Sequence, residues 1–463
     1  MEKKILSSFI LGLLLLQILL VTSCEQKEQV NSNTEEILSK TLFDNDSAKA
    51  DLLAQYIAET VDQYDFKLKR SIEEKDIAFE SIHRTIGTYC APCHYKGGNA
   101  PFSLTTYSSI KKRAKAIKDA LLSNLMPPWK ADNSYNQYHN SQAMPDSLKE
   151  QIIHWINQGA KAESTSKNEI NYSLLEKPTI VLSPSLPFTL RSNEDDYVCN
   201  IIDPKFEIET YVEAFTFESD NIDIIHHYTL FADTTGKYLD SKNNWSCKKD
   251  SIFKHMDLID TWAKGIRFIK YEKGLAYRFP KETKFLLQTH YSGYGNKGKS
   301  ESCTMSLYTS SEKPINEVKW SVLNKTDIFI PANKTQTDDI TWKLTESVTL
   351  LGVVPHMHYL GQKMEIFAIS PEGKKLPIVF IPDWSYTVQS KYMLKEPLFI
   401  PEGSMIYTNV VYDNTSNNPE QPNDPIKDVI YAQSSYDEML AIGFYYVQNG
   451  QNNLPEPTVI FIK

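Results

Sequence analysis

The sequence predicts a multidomain protein in which a small all-α domain is followed by two all-β sandwiches, and three observations predict it. At 463 residues the chain is too long for one core, since domains run to about 100–200 residues. Apolar residues recur at 3- and 4-residue spacing up to about residue 160, the period of helices packed along one face. Beyond about residue 185 the pattern changes to short aromatic and β-branched runs separated by Gly, Pro, Asn and Asp. Composition agrees: 26 Tyr and 20 Phe, with 17 Gly against 23 Pro, favour a β-rich, loop-rich chain. A hydrophobic content of 41% excludes a disordered chain. A net charge of -9 leaves no excess cation for a phosphate backbone and excludes a general nucleic-acid binder.

The first element is an export signal. Two lysines precede an uncharged apolar run from Ile5 to Thr22, which ends on small residues before Cys24. The ending Val21-Thr22-Ser23-Cys24 resembles the lipobox of bacterial lipoproteins. That resemblance implies a signal peptide at 1–23, lipidation of Cys24, and a place in the bacterial cell envelope on the periplasmic or outer face of the outer membrane. The membrane is then touched through the lipid anchor only, whose acyl carbons contribute about 0.8 kcal/mol per buried CH₂. An uncleaved signal anchor and ordinary secretion are the alternatives. Residues 24–46 are polar and read as a flexible tether.

Helical periodicity follows over Ser47–Ser81, where 47–69 is a lead-in to a helical domain at 70–162. A second helix places Ile110, Ala114, Ile117, Leu121 and Leu122 in one stripe. Its lysines and Arg113 form a solvent face, for solubility or for docking an acidic electron-transfer partner. A third helix starts near Pro145 and stops before Gly159. Among them stands Cys90-Ala91-Pro92-Cys93-His94. Two cysteines three apart can bond the two vinyl groups of a haem while the adjacent histidine reaches the iron. Met126, 32 residues after His94 in Leu125-Met126-Pro127-Pro128-Trp129, offers a thioether for the sixth position, core packing being the alternative. CAPCH with Gly98, PFSLTTY, the MPPW turn and HWINQGA resembles the small cytochrome c domain fused to exported bacterial enzymes. It implies a cytochrome c-like domain carrying one covalently bound c-type haem.

A polar, proline-marked linker at 163–185 leads to the β-rich part, divided as 186–345 and 346–463. Five histidines fall in its strand-like runs: His226-His227, His290, and His356-Met357-His358. In a strand, residues i and i+2 share a face, so His356 and His358 can converge on one metal. Adjacent His226 and His227 face opposite ways in a regular strand, so sharing a metal requires a twist, a bulge or different ring nitrogens. Imidazole and thioether ligands together suit copper that cycles to Cu(I).

In order along the chain, EDDYVC, HHYTLF, FLLQTHYS, VPHMHYLGQKM and YDEM resemble the type II, ascorbate-dependent copper monooxygenases, the family of peptidylglycine hydroxylating and dopamine β-monooxygenases. The resemblance covers about 190–463 and implies two antiparallel, jelly-roll-like sandwiches with two copper ions. It implies that His226, His227 and His290 hold an electron-transfer copper with Gln288 beside it, and that His356, His358 and Met439 hold a catalytic copper. It further implies a Cys199–Cys303 disulfide, which leaves Cys247 odd. The family activity is insertion of one atom of O₂ into an activated C–H bond of a small organic substrate, with an ascorbate-like reductant or a redox protein as electron donor. The family's carboxylate-anchoring arginine is Val354 here and a family tyrosine is Gly443, which argues against a C-terminal glycine peptide. Trp384, Tyr386 and Tyr412 line the pocket or only its core. His83, His139, His154 and His255 are ordinary packing or surface residues. The competing readings are a lipid-anchored haem/copper electron carrier or copper-binding protein without oxygenase activity, and a structural or adhesive sandwich protein without copper.

Overall fold

The computed structural model describes residues 77–460 apart from 96–99, 101, 163–176, 185–186, 240–243, 248–251, 264–267, 272–273, 294 and 449–457. The signal peptide, Cys24, the tether and the helical lead-in lie outside the described residues, as does most of the linker.

Four helices make a small helical region: Phe79–Tyr89, Tyr107–Lys112, Ala114–Leu122 and Asp146–Asn157. Thr106 opens the second with a capping box shared with Ser109, which satisfies amide donors at the helix start. The long second helix read from sequence is two, broken at Arg113; of its apolar stripe Ile110, Ile117 and Leu121 are buried with Phe79, Ile82, Ile86, Ile152 and Trp155, Ala114 is half-buried, and Leu122 is exposed. Gly159 at φ +90° ends the last helix, a conformation that glycine adopts at no steric cost.

The helical region is not set apart as a discrete domain. Between its third and fourth helices, residues 129–143 run along the far half of the β-rich part as a strap. Tyr138 pairs with Leu394 as an isolated bridge, His139 N–H donates to Met393 C=O at 2.8 Å, and Asp132 N–H to Phe380 C=O at 2.8 Å. Trp129 and Tyr138 pack on Tyr392, with ring centroids 5.1 and 5.4 Å away. The buried Asn140 amide donates to Lys391 C=O and accepts from Met393 N–H.

The remainder is large antiparallel β-sheets. An eight-stranded sheet runs in the order Ile180–Leu182, Cys303–Ser310, Thr210–Ser219, Leu275–Phe279, Asn316–Lys325, Leu440–Gln448, Val348–Met357, Tyr392–Ile400. Its one parallel contact, Asn316 and Glu317 against Leu275 and Ala276, joins the two halves into one continuous layer. A five-stranded sheet covers the first half, in the order Trp245–Ser246, Asp196–Ile202, Lys284–Tyr291, Ile225–Asp233, Asp257–Ala263. A four-stranded sheet covers the second: Lys334–Lys343, Met405–Asn414, Gly361–Ile369, Lys375–Ile381. Strands between 316 and 343, assigned from sequence to the first sandwich, pair with strands of the second. Each half has its own apolar core, one around Tyr228, Phe215, Phe279 and Phe285, the other around Met357, Ile366, Ile442 and Phe444.

Period-2 alternation explains why these runs form strands. In Ile225–Asp233, Tyr228, Leu230 and Ala232 are buried in the first core, while His227 and Thr229 face a cavity. In Val348–Met357, Val353 and Met357 enter the second core, while Val354 and His356 face the same cavity.

Candidate metal centre

One cavity of about 240 Å³ receives both histidine groups; His226, His227, His290, His356, His358, Met439 and Gln288 all line it. The copper ligands named from sequence therefore come together from two halves of the chain.

The trio is built across two strands. His227 stands directly opposite His290 in the antiparallel pairing, which puts their side chains on one face. His226 is the residue the register skips, because Tyr291 pairs with Ile225 next. A bulge re-aims a side chain that would otherwise point away, and this is how neighbouring histidines share one site. His226 Nδ1 lies 2.9 Å from His227 Nδ1, and ligand atoms of all three residues fall within 4.8 Å of one another. Such a cluster can hold a metal ion.

The second group uses strand spacing alone. His356 and His358 share a face, with ring centroids 5.0 Å apart, and Met439 reaches the cavity from the turn preceding Leu440–Gln448. Glu438 is fully buried beneath it. Its carboxylate accepts from the amides of His358, Leu360 at 3.1 Å and Met439 at 2.8 Å. Burial pushes the Glu438 carboxyl up to about 8, while those donors pull the other way. Tyr412 donates its hydroxyl to Met439 C=O at 3.2 Å, and Trp384 Nε1 donates to His358 C=O at 3.2 Å. Of the three aromatic candidates, only Tyr386 lines the cavity; Trp384 and Tyr412 brace the backbone that carries the ligands.

Four of the five rings have one nitrogen turned to a partner other than a histidine. His290 Nε2 points to Asp195 Oδ2 at 3.4 Å, and its Nδ1 is buried without a hydrogen-bond partner. His226 Nε2 meets the Tyr386 hydroxyl. His356 Nδ1 pairs with Gln389 Oε1 at 2.7 Å, and His358 Nδ1 with Asp437 C=O at 3.1 Å. The trio is thus arranged to offer Nδ1 and the pair to offer Nε2. Such orienting acceptors fix the tautomer of a metal-binding histidine. Burial, with the neighbouring rings, holds His227 and His358 well below the ordinary histidine range and lowers His356. Uncharged imidazole is the form that binds metal.

The disulfide implied by the family resemblance is corrected. Cys199 bonds Cys247, across 48 residues, and Cys303 is a thiol. Strand pairing decides this: Cys199 lies opposite Trp245 in the five-stranded sheet, which brings Cys247 alongside, whereas Cys303 belongs to the eight-stranded layer and is buried in the first core. Gln288 does sit next to the trio, its amide 3.8 Å from Cys247 Sγ.

At the other motif, Cys90 caps the helix Phe79–Tyr89, and Cys93 and His94 follow in a tight turn, with Cys93 and His94 amides both donating to Cys90 C=O. His94 is buried, and its Nδ1 donates to Phe102 C=O at 3.0 Å, which leaves Nε2 as its ligand atom. That is the tautomer a haem-binding histidine needs. Burial pushes the Cys90 thiol up to about 12 and lowers His94. Met126 lies in the turn after Ala114–Leu122, half-buried, before a cis proline.

No family model matches the chain, and no curated protein matches it. Solved structures that match include the major capsid protein P2 of bacteriophage PM2, at 8% identity over 59% of this chain and 99% of that one, with a TM-score of 0.24. The VP2 subviral particle of infectious bursal disease virus matches at 11% identity over 62% and 75%, TM-score 0.17. N-glycanase F matches at 8% identity over 63% and 98%, TM-score 0.22. With no family model and no curated protein matching, the family reading is not upheld. The assignment to the copper monooxygenases with a fused cytochrome c is withdrawn, and with it C–H hydroxylation and classification as an enzyme. The lipid-anchored envelope location is not carried forward, since the residues it rests on, 1–24, lie outside the described residues; among the described residues no helix is long and apolar enough to cross a membrane. At such TM-scores the matched proteins lend this chain no function of their own.

Proposed function

We propose that this chain is a metal-binding protein whose shared cavity takes two copper ions. One would sit on Nδ1 of His226, His227 and His290, the other on Nε2 of His356 and His358 with the Met439 thioether. The observation that carries this reading is the division of ring nitrogens: four of the five histidines have one nitrogen engaged by a hydrogen-bond partner of the protein, Asp195, Tyr386, Gln389 or the Asp437 carbonyl. A buried imidazole nitrogen without a partner, as at His290 Nδ1, costs about 1–3 kcal/mol, which a bound cation offsets. Imidazole with thioether, and a cavity lining without a carboxylate, favour copper over the hard cations that select oxygen. When bound, copper supplies one-electron redox chemistry; the chain's own part is to hold uncharged imidazoles in place and exclude bulk water.

We propose further that Cys90 and Cys93 attach a c-type haem, with His94 Nε2 and Met126 as its axial ligands. The committed His94 Nδ1 supports this.

Metal analysis of purified, copper-reconstituted protein tests the first reading. Two ions per chain are expected, one lost in H227A/H290A and the other in H356A/H358A. Binding of zinc in preference to copper, or of no metal, sinks it. A pyridine haemochrome spectrum of protein matured in a host that attaches haem c tests the second, and its absence there sinks that part.

A further inference from the structure

The loop between Lys375–Ile381 and Tyr392–Ile400 reaches both histidine groups. Tyr386, on the second half of the chain, stacks on His226 of the first, with centroids 5.1 Å apart and planes 18° apart, and its hydroxyl meets His226 Nε2. Three residues on, Gln389 Oε1 accepts from His356 Nδ1 at 2.7 Å. The two orienting residues are themselves joined, since Gln389 Nε2 donates to Tyr386 C=O at 2.9 Å. Tyr386 also stands perpendicular to the ring of His358, with centroids 5.7 Å apart. The loop is held from behind by Glu420, whose carboxylate accepts from Ser385 Oγ at 3.0 Å and Tyr386 N–H at 3.4 Å, and by Trp384 on His358 C=O.

We infer that Tyr386 and Gln389 are positioning residues that couple the two metal sites, so that filling either one raises the affinity of the other. The inference rests on the two-ion reading above. A metal on the trio fixes His226, and with it the acceptor on its far nitrogen. Fixing Tyr386 fixes the carbonyl that holds Gln389, and Gln389 sets the ring of His356. The same chain of contacts runs in reverse, as equilibrium coupling must. The ordering of one loop is then shared by two binding events, and the second ion meets a loop already in place.

The test is a Cu(I) competition titration of the full chain against bicinchoninate, with X-ray absorption to report the pair site by its sulfur scatterer, because only that site contains Met439. In wild type, removing the trio by H227A/H290A should weaken the pair site about tenfold. In a Y386F background the pair site should already be weaker, by a factor within the 10–100-fold typical for such orienting groups, and trio removal should then change it no further. Q389L should break the coupling in the same way, and Q389E, which keeps the acceptor for His356 but loses the donor to Tyr386 C=O, should hold the pair site tighter than Q389L while still losing the coupling. If the pair site binds equally tightly with the trio present or absent, the coupling is refuted while the two-ion reading stands. Should wild type bind no copper, both fall.

Discussion

The two histidine groups face one cavity, but they are built differently. The trio is locked by sheet register: His227 and His290 are cross-strand partners, and a bulge turns His226 onto them. The pair hangs on the end of one strand, and its third member, Met439, comes from a turn held by one buried carboxylate. The trio offers Nδ1, close to its own backbone, and the pair offers Nε2, at the far end of the ring. A site made by register is rigid before any metal arrives. A site made at a strand end depends on what props its loops.

The largest expected effect therefore belongs to the prop. Glu438→Ala leaves the amides of His358, Leu360 and Met439 without their acceptor in a buried place; at about 1–3 kcal/mol for each unsatisfied group, chemical denaturation should show a loss of about 3–5 kcal/mol. E438Q keeps one acceptor oxygen but sets an amide donor against the remaining backbone N–H, so it should recover only part of that loss. Next comes the disulfide. Cys247→Ser should cost about 2–4 kcal/mol and weaken copper at the trio, beside which Gln288 contacts the bond, with the pair site unchanged. An equal loss at both sites would break the contrast drawn here. Gly443→Ala would put a Cβ 2.0 Å from the ring of Trp320, which packs against the first core, so a cost of about 1–3 kcal/mol from overpacking is expected by chemical denaturation.

The smallest effect is on pH dependence. Folding holds His227, His356 and His358 below the ordinary histidine value, so below about pH 6.5 the unfolded chain takes up protons that the folded chain refuses. Stability of the metal-free protein should be complete above that pH and decline as pH falls beneath it. Thermal unfolding between pH 7.5 and 5.5 checks this, and a midpoint that rises on acidification would refute it. Double alanine replacement at the pair should flatten the dependence more than the single replacement of His227.

Much of this was open to reading in the sequence. His356 and His358 follow from strand period alone, and the alternating runs around them became strands. Shared use of His226 and His227 depends on which residue the neighbouring strand skips, and no single strand carries that information. The Cys199–Cys247 bond was missed for a like reason: it depends on Trp245–Ser246 joining the sheet beside Asp196–Ile202, and two residues leave almost no periodic signal. Tyr386, Gln389, Asp195 and Glu438 lie in loops or at strand ends, where side-chain direction is set by tertiary contacts. Asp195 and Glu438 stand within EDDYVC and YDEM, beside further acidic residues, and the sequence does not mark which carboxylate turns inward. The strap at 129–143 read as helical-domain loop because its Asn, Tyr and Ser residues look solvated, whereas they serve strands of the second half, among them Lys375–Ile381 and Tyr392–Ile400.

The strap also imposes an order in time. Asn140 waits for Lys391 and Met393, the latter 253 positions later. At roughly 5–20 residues per second, synthesis takes on the order of ten to fifty seconds to supply that partner. The stretch from Trp129 to Ala143 must therefore stay open while most of the first half emerges beside it. Its hydrogen-bonding edge and three large aromatic rings, Trp129, Tyr135 and Tyr138, are exposed throughout that interval, which makes it the place where a holding chaperone would have most to cover.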